Sequence, residues 1–403
     1  MSPAIARLTN DPALLEKLDW GIVAVVAVKV VVAFAILLVA VMLYIWGMRK
    51  VIADMQNRIG PAKAGPFGVL QTLADGLKLF FKEASIPSSA DRTVFRLAPY
   101  LSIMPAFLMF CVIPIGGTVS MFGHRTYLQV AELPVGVLFI LAMSGVGVYG
   151  VMLAGWSSGS KYPLLGSIRA SAQVLSYEAA FGLGILGVLI QAGTLSTRGI
   201  AAQQAWVSWK SMFTEWYWLP CLIPFAIFII AAIAETNHPP FDLVEAEQEL
   251  VGGFHTEYTG MRFAMFFLAE FMNVITMSAV AVTLFLGGPS GPALGFLPAD
   301  GTVNVWFVPV LWFLVKLLAL LFCTVWIRAS LPRMRYDQLM ALGWKWLIEI
   351  AILWVVVSAA MVVARDQDWA PWAYAVAVGG ALLAWVMLYL AIPKPGERVE
   401  EFR

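Results

Sequence analysis

Cysteine is scarce in this chain and never paired. Its three cysteines, Cys111, Cys221 and Cys323, each stand alone inside an apolar run. No CxxC spacing and no Cys/His cluster exists to hold a metal or an iron–sulfur cluster, so any redox cofactor belongs on another chain. Charge is scarce as well. Asp, Glu, Lys and Arg make up 13% of the 403 residues and sum to a formal net charge of +1, which removes the overall basic field that would attract nucleic acid. No segment recurs at a fixed period and no low-complexity linker divides the chain. Residues 1–403 therefore read as one integral membrane domain.

What fills the sequence is apolar surface, at 61% of residues, far above the share in a soluble domain. About 20 apolar residues span a bilayer as a helix. Nine stretches qualify: about 21–46, 97–117, 134–155, 172–193, 217–235, 262–287, 304–327, 346–364 and 372–392. The first is too long for a signal-peptide core and is read as a retained span. The expectation is an all-α polytopic helical bundle. Sorting the 26 Lys and Arg by loop places 18 on one side (47–96, 156–171, 236–262, 328–345 and the tail) and six on the other, with Lys29 and Lys316 inside spans. Cytoplasmic loops carry the positive excess, so the N terminus is expected outside and the C terminus inside.

The first inner loop has its own pattern. In NRIGPAKAGPFGVLQTLADGLKLFFKE (57–83), Leu70, Leu73, Leu77, Phe80 and Phe81 recur at helical spacing opposite Gln71, Asp75, Lys78 and Lys82. This predicts an amphipathic helix lying in the membrane plane, set off from the first span by a turn rich in Gly and Pro. On its own the pattern also suits a simple surface anchor.

Acids gather where few are expected. Residues 234–258, AETNHPPFDLVEAEQELVGGFHTEY, hold Glu235, Asp242, Glu245, Glu247, Glu249 and Glu257 without one Lys or Arg. Asp242, Glu245 and Glu249 share one helical face, and Glu247 turns away. Two carboxylates about 5 Å apart at an effective dielectric of about 20 repel by roughly 3 kcal/mol, or about two pKa units. Desolvated, they cannot all be ionised, which is what a proton relay requires. A solvated acidic loop remains open as the rival. A calcium site is disfavoured because the spacing is not that of an EF-hand. Within the spans lie Glu178, Glu235, Glu270, Lys316 and Glu349, each of which costs about 2.5–3.5 kcal/mol at mid-bilayer unless satisfied. Singly these read as ion pairs or snorkelling side chains; five together argue for a polar path.

Four segments carry a resemblance. The 57–83 loop, GWSSGSKYPLLGSIRASAQVLSYE (155–178), the acidic 234–258 block and WIRASLPRMRYDQLMALGW (326–344) resemble, in order, the signature segments of the H subunits of bacterial NADH-quinone oxidoreductase and mitochondrial subunit 1 of complex I. The resemblance implies a core of eight tilted helices (21–364) with an additional C-terminal helix and tail (365–403), in the bacterial inner membrane. It implies a quinone chamber shared with hydrophilic partner subunits, one of them holding the terminal iron–sulfur cluster, and contacts with other membrane-arm subunits. Arg58, Asp75, Lys82 and Phe241 match positions near the quinone passage. Glu178, Glu235, Glu245, Glu247 and Glu249 match the acids of a proton path, with Asp242, Lys316 and Tyr177 alongside.

This chain also departs from the family. His238 and Pro239 stand where relatives often have Arg and Thr, and Gly145 where some have Glu; Glu349 and the span 372–392 match nothing in the family core. The expected function is that of a membrane subunit of a proton-pumping NADH:quinone oxidoreductase with quinone as substrate. The alternatives are the corresponding subunit of a hydrogenase or formate-linked complex, an autonomous ion transporter, and a structural anchor.

Overall fold

The computed structural model describes residues 20–205, 215–242, 251–291 and 307–367, together with Gly379. Its helices, in chain order, are α1 (Trp20–Met55), α2 (Gln71–Phe81), α3 (Arg92–Cys111), α4 (Gly136–Ser157), α5 (Lys161–Ala192), α6 (Thr197–Gln203), α7 (Leu222–Glu235), α8 (Met261–Phe285), α9 (Phe307–Ser330), α10 (Tyr336–Leu342) and α11 (Ile348–Asp366). A π-helical stretch, Gly343–Leu347, joins α10 to α11. Seven of these stretches, counting Tyr336–Asp366 as one, are long and apolar enough to cross a membrane, and α7 is a shorter apolar helix. They coincide with the first eight expected spans; the ninth, 372–392, lies outside the described residues.

Hydropathy marks the apolar parts of these helices, but their ends follow other forces. α1 runs on to Met55 because its last turns carry Arg49, whose guanidinium meets Asp75 of α2 at 2.7 Å. α5 begins eleven residues before the expected 172, at Lys161, since this polar first stretch packs on other loops: Arg169 lies over the Tyr336 ring at 5.4 Å. α3 starts where the Asp91 carboxylate accepts from the amides of Thr93 and Val94, a side-chain N-cap. Its interior Pro99 and Pro105 are tolerated as in other membrane helices.

α2 forms where the amphipathic spacing placed it. Leu73, Leu77, Phe80 and Phe81 are exposed on the isolated chain, while Asp75 faces α1 and Thr72 Oγ1 donates to the Met42 carbonyl. At the opposite end of α3, Thr118–Met121 and His124–Tyr127 pair as an antiparallel hairpin that hydropathy does not resolve. Its tight turn has positive φ at Phe122 and Gly123.

The bundle is organised around α8. In α8, 72% of the most apolar window is buried, against 28% in α1 and in α9, so α8 is the axial helix and the other two face outward. Small residues let its neighbours close in: Gly184 and Gly187 of α5 accept Pro224 of α7, and Gly155 of α4 lies against Ser167 and the Pro163 carbonyl of α5. A second cluster of buried residues sits between α3, α4 and the segment 253–266. There Tyr258 stacks on Phe95 at 3.9 Å and its hydroxyl reaches the Phe95 carbonyl at 3.2 Å. Burial pushes the Tyr258 phenol up to about 12, so it stays protonated at any physiological pH.

Gly155→Ala places a methyl group on backbone that cannot yield. Overpacking of this kind costs about 1–3 kcal/mol. The expected result is a lower thermal midpoint of the detergent-solubilised protein with unchanged helix content by circular dichroism.

Candidate functional site

The acidic segment begins as the end of α7. Pro239 and Pro240 cannot donate to a helix, so α7 stops at Glu235 and the Thr236 amide makes its last bond, to Ala232 O at 3.1 Å. Asn237 turns the chain at φ +53°, a conformation Asn adopts more readily than most residues. Gln173 of α5 then gathers the turn. Its amide nitrogen donates to the carbonyls of Ala234 and Phe241 at 2.9 and 3.0 Å and lies 3.3 Å from Asn237 Oδ1. From the other side, Arg333 binds the buried Asp242 carboxylate at 2.7 Å, and the Met334 amide donates to Pro240 O at 3.1 Å. Residues 236–242 are thereby held between α5 and the segment that leads into α10.

This strapping sets Glu235 into the bundle. The residue is 9% exposed, and Ser144 Oγ of α4 donates to its Oε1. The next residue of α4 is Gly145, where a methyl group would lie 3.1 Å from Glu178 Oε1. One turn of α4 therefore meets both carboxylates, Glu235 through a hydroxyl and Glu178 through the space a side chain would fill. Beside them is a cavity of about 70 Å³ lined by Ser102, Ser144, Glu235, Asn237, Glu270 and Asn273 among others. Ser102 Oγ, Asn273 Oδ1 and Glu235 Oε2 find no partner among the described residues. A cavity of this size with several polar groups on its wall admits water. Glu270 Oε1 is 3.0 Å from His238 Nδ1. A larger cavity of about 210 Å³ lies on the other side of Thr236, between α7, α8 and α9, and is mainly apolar.

The remaining expected residues divide. Tyr177, fully buried, donates to the Leu339 carbonyl at 2.9 Å and packs against Phe241 at 5.6 Å; its hydroxyl is thus committed to α10 and not to the acids. Phe241 is buried. Asp75 is paired with Arg49, while Arg58 bonds Gln56 at 2.7 Å on the surface and Lys82 ends α2. These three make no hydrogen bond or ion pair with one another among the described residues. Glu245, Glu247 and Glu249 lie outside the described residues.

Lys316 stands apart. Its Nζ donates to the carbonyls of Leu286, Gly288 and Ser290 at 2.6, 3.0 and 2.5 Å and lies 4.2 Å from the centre of the Trp216 ring. The 16 residues of chain from Glu270 to Leu286 amount to about 24 Å of helix rise, so the ammonium caps the far end of α8, where carbonyl dipoles favour a cation.

Three residues of the site are not legible in the sequence: Ser102, Ser144 and Asn273. Each is a lone polar residue in an apolar run, and that is the only signal. Glu270 is one of the five intramembrane charges that the sequence reads as a polar path, and it is not among the acids that the resemblance matches to that path.

Fold and site together define an α-helical integral membrane protein with a cavity in its bundle that two carboxylates line. Residues 28–359 match the NADH dehydrogenase family, and the chain belongs to it. It is 50% identical over 399 residues to the H subunit of NADH-quinone oxidoreductase from Frankia alni, covering 98% of this chain and 83% of that protein. It is also 50% identical over 374 residues to the same protein from Frankia casuarinae, covering 92% and 80%.

Removing Arg333 leaves the buried Asp242 carboxylate without its guanidinium. Because Arg333 is 45% exposed, the expected loss is that of a hydrogen bond to a charged group, about 1.5–3 kcal/mol. In Arg333→Ala, amide hydrogen exchange should accelerate across 236–242 and remain unchanged in α8, and Asp242→Asn in the same background should recover part of the protection.

Proposed function

We propose that this chain is the membrane subunit through which an NADH:quinone oxidoreductase couples quinone reduction to proton movement. The observation that carries the reading is the cavity where Ser144 holds Glu235, with Glu178 beside Gly145 on the same turn of α4 and Glu270 opposite. Glu235 and Glu270 on the wall of the cavity, with Glu178 close to Glu235, differ in occupancy by single protons at moderate cost, because each charge raises the energy of the next. Water in the space bridges their oxygens and supplies the path.

Quinone is the substrate. Its head group is reduced on the side of the bundle that holds the loops 57–91 and 236–260, by electrons from an iron–sulfur cluster on a hydrophilic partner subunit. This is the cytoplasmic side, which leaves the N terminus outside and the C terminus within. Arg58, Asp75 and Lys82 on or beside α2, with Phe241 on the strapped turn, form this chain's share of the quinone passage, and the partner's surface completes it. Charge arriving with the electrons shifts proton occupancy in Asp242, Glu245, Glu247 and Glu249 and then in the cavity, and the shift passes to other membrane-arm subunits. Lys316, at the far end of α8, responds last.

Glu235→Gln and Glu178→Gln in the assembled complex should each lower quinone reduction and proton pumping together, while NADH oxidation by an artificial acceptor stays at the parent level. Normal pumping in both variants would overturn the path. Arg58→Ala should weaken binding of a quinone-site inhibitor by about tenfold, equal to about 1.4 kcal/mol, and unchanged affinity would remove Arg58 from the passage.

A further inference from the structure

His238 is buried in the turn that follows α7, 4% exposed, with its ring packed edge-on against Phe271 of α8 at 5.4 Å. Its Nδ1 meets two acceptors at once, the Thr236 carbonyl at 2.9 Å and Glu270 Oε1 at 3.0 Å. Neither can donate to it while Glu270 is ionised, so Nδ1 carries the hydrogen and the tautomer is set by geometry. Titration of the ring then takes place at Nε2. The backbone holds the ring from both sides, since the His238 amide donates to Ile233 O at 3.3 Å and the His238 carbonyl accepts from Phe241 at 2.9 Å.

Other charges surround the pair. Glu235 at the end of α7 shares the cavity with Glu270, and Glu178 of α5 stands behind Glu235 at Gly145. Tyr44 of α1 feels both Glu270 and Arg328 of α9. Asp242, four residues along the turn, is bound by Arg333. With His238 neutral and Glu270 ionised the pair carries one negative charge; with one more proton on Nε2 it is a neutral ion pair. In a site of low dielectric these two states differ strongly in what they present to Glu235.

We propose that His238 is a positioning residue for Glu270. It aims the Glu270 carboxylate and, by taking up or releasing one proton at Nε2, sets whether Glu270 stands in the cavity as a net negative charge or as half of an ion pair. The step is a proton exchange with water: an O–H bond of hydronium breaks as the Nε2–H bond forms, and the reverse restores both. The proposal rests on the proton-path reading.

The test uses the intact complex in membrane vesicles, with quinone reduction and pumping followed from pH 5.5 to 8.5. In the parent complex the quinone-linked rate should change by about threefold or more across the range in which an imidazole titrates. His238→Arg, permanently charged, and His238→Gln, a donor that does not titrate, should both flatten that inflection while the artificial-acceptor rate stays unaffected. Parent-like profiles in both would overturn the proposal. Should neither variant assemble, Glu270→Gln decides, since the inflection must also vanish there and its persistence refutes the pair. Glu235→Gln run alongside separates the two readings. If it pumps normally, the path itself has failed; if it is impaired while the His238 variants keep the parent profile, only the role of His238 is lost.

Discussion

A single amide, the side chain of Gln173, does much to decide what the acid cavity can be. It is fully buried and spends its donors on Ala234, Phe241 and Asn237, three points on a turn whose prolines have left the backbone without helix bonds. Unsatisfied backbone in an apolar bundle costs several kcal/mol per group. The turn is stable where it is because α5 brings a donor to it. Once it is stable there, Glu235 lies at the inner wall of the bundle and His238 reaches α8.

The same rule governs four charges among the described residues, with different outcomes. Glu235 has Ser144, Asp242 has Arg333, Glu270 has His238, and Lys316 has three carbonyls and an indole. A charge satisfied by fixed carbonyls at a helix end is a structural cap with little freedom. A carboxylate that has one oxygen without a partner among the described residues, beside a cavity that takes water, is the kind of group on which the proposed proton exchange depends. In the proposed reading, proton exchange therefore starts at the cavity end of α8 and reaches last the end where fixed carbonyls hold Lys316.

Gly145 shows how an apparent loss becomes a fit. Read alone, it removes an acid from a span in which some relatives have one. In the fold, the space it leaves is where the Glu178 carboxylate stands, one residue from the serine that binds Glu235. Tyr177 goes the other way: its neighbour Glu178 in the chain suggests a shared hydrogen-bond path, yet helical geometry points successive side chains about 100° apart, and its hydroxyl ends on Leu339.

Chain order and hydropathy determined the number and rough position of the first eight spans, the amphipathic helix at 71–81, and the gathering of acids around 235–249, because bilayer thickness and helical period act on local sequence. They did not determine which acids meet. Glu178 and Glu235 are 57 positions apart and Glu270 is 35 further on, and only the packing of α4, α5, α7 and α8 brings Glu235 and Glu270 to one cavity and Glu178 to the neighbouring turn of α4. The roles of Ser102, Ser144 and Asn273, and the removal of Lys316 to the far end of α8, were likewise settled by tertiary contacts. A hydrogen-bond partner is chosen by proximity in space, and sequence spacing encodes that proximity only within a single helix.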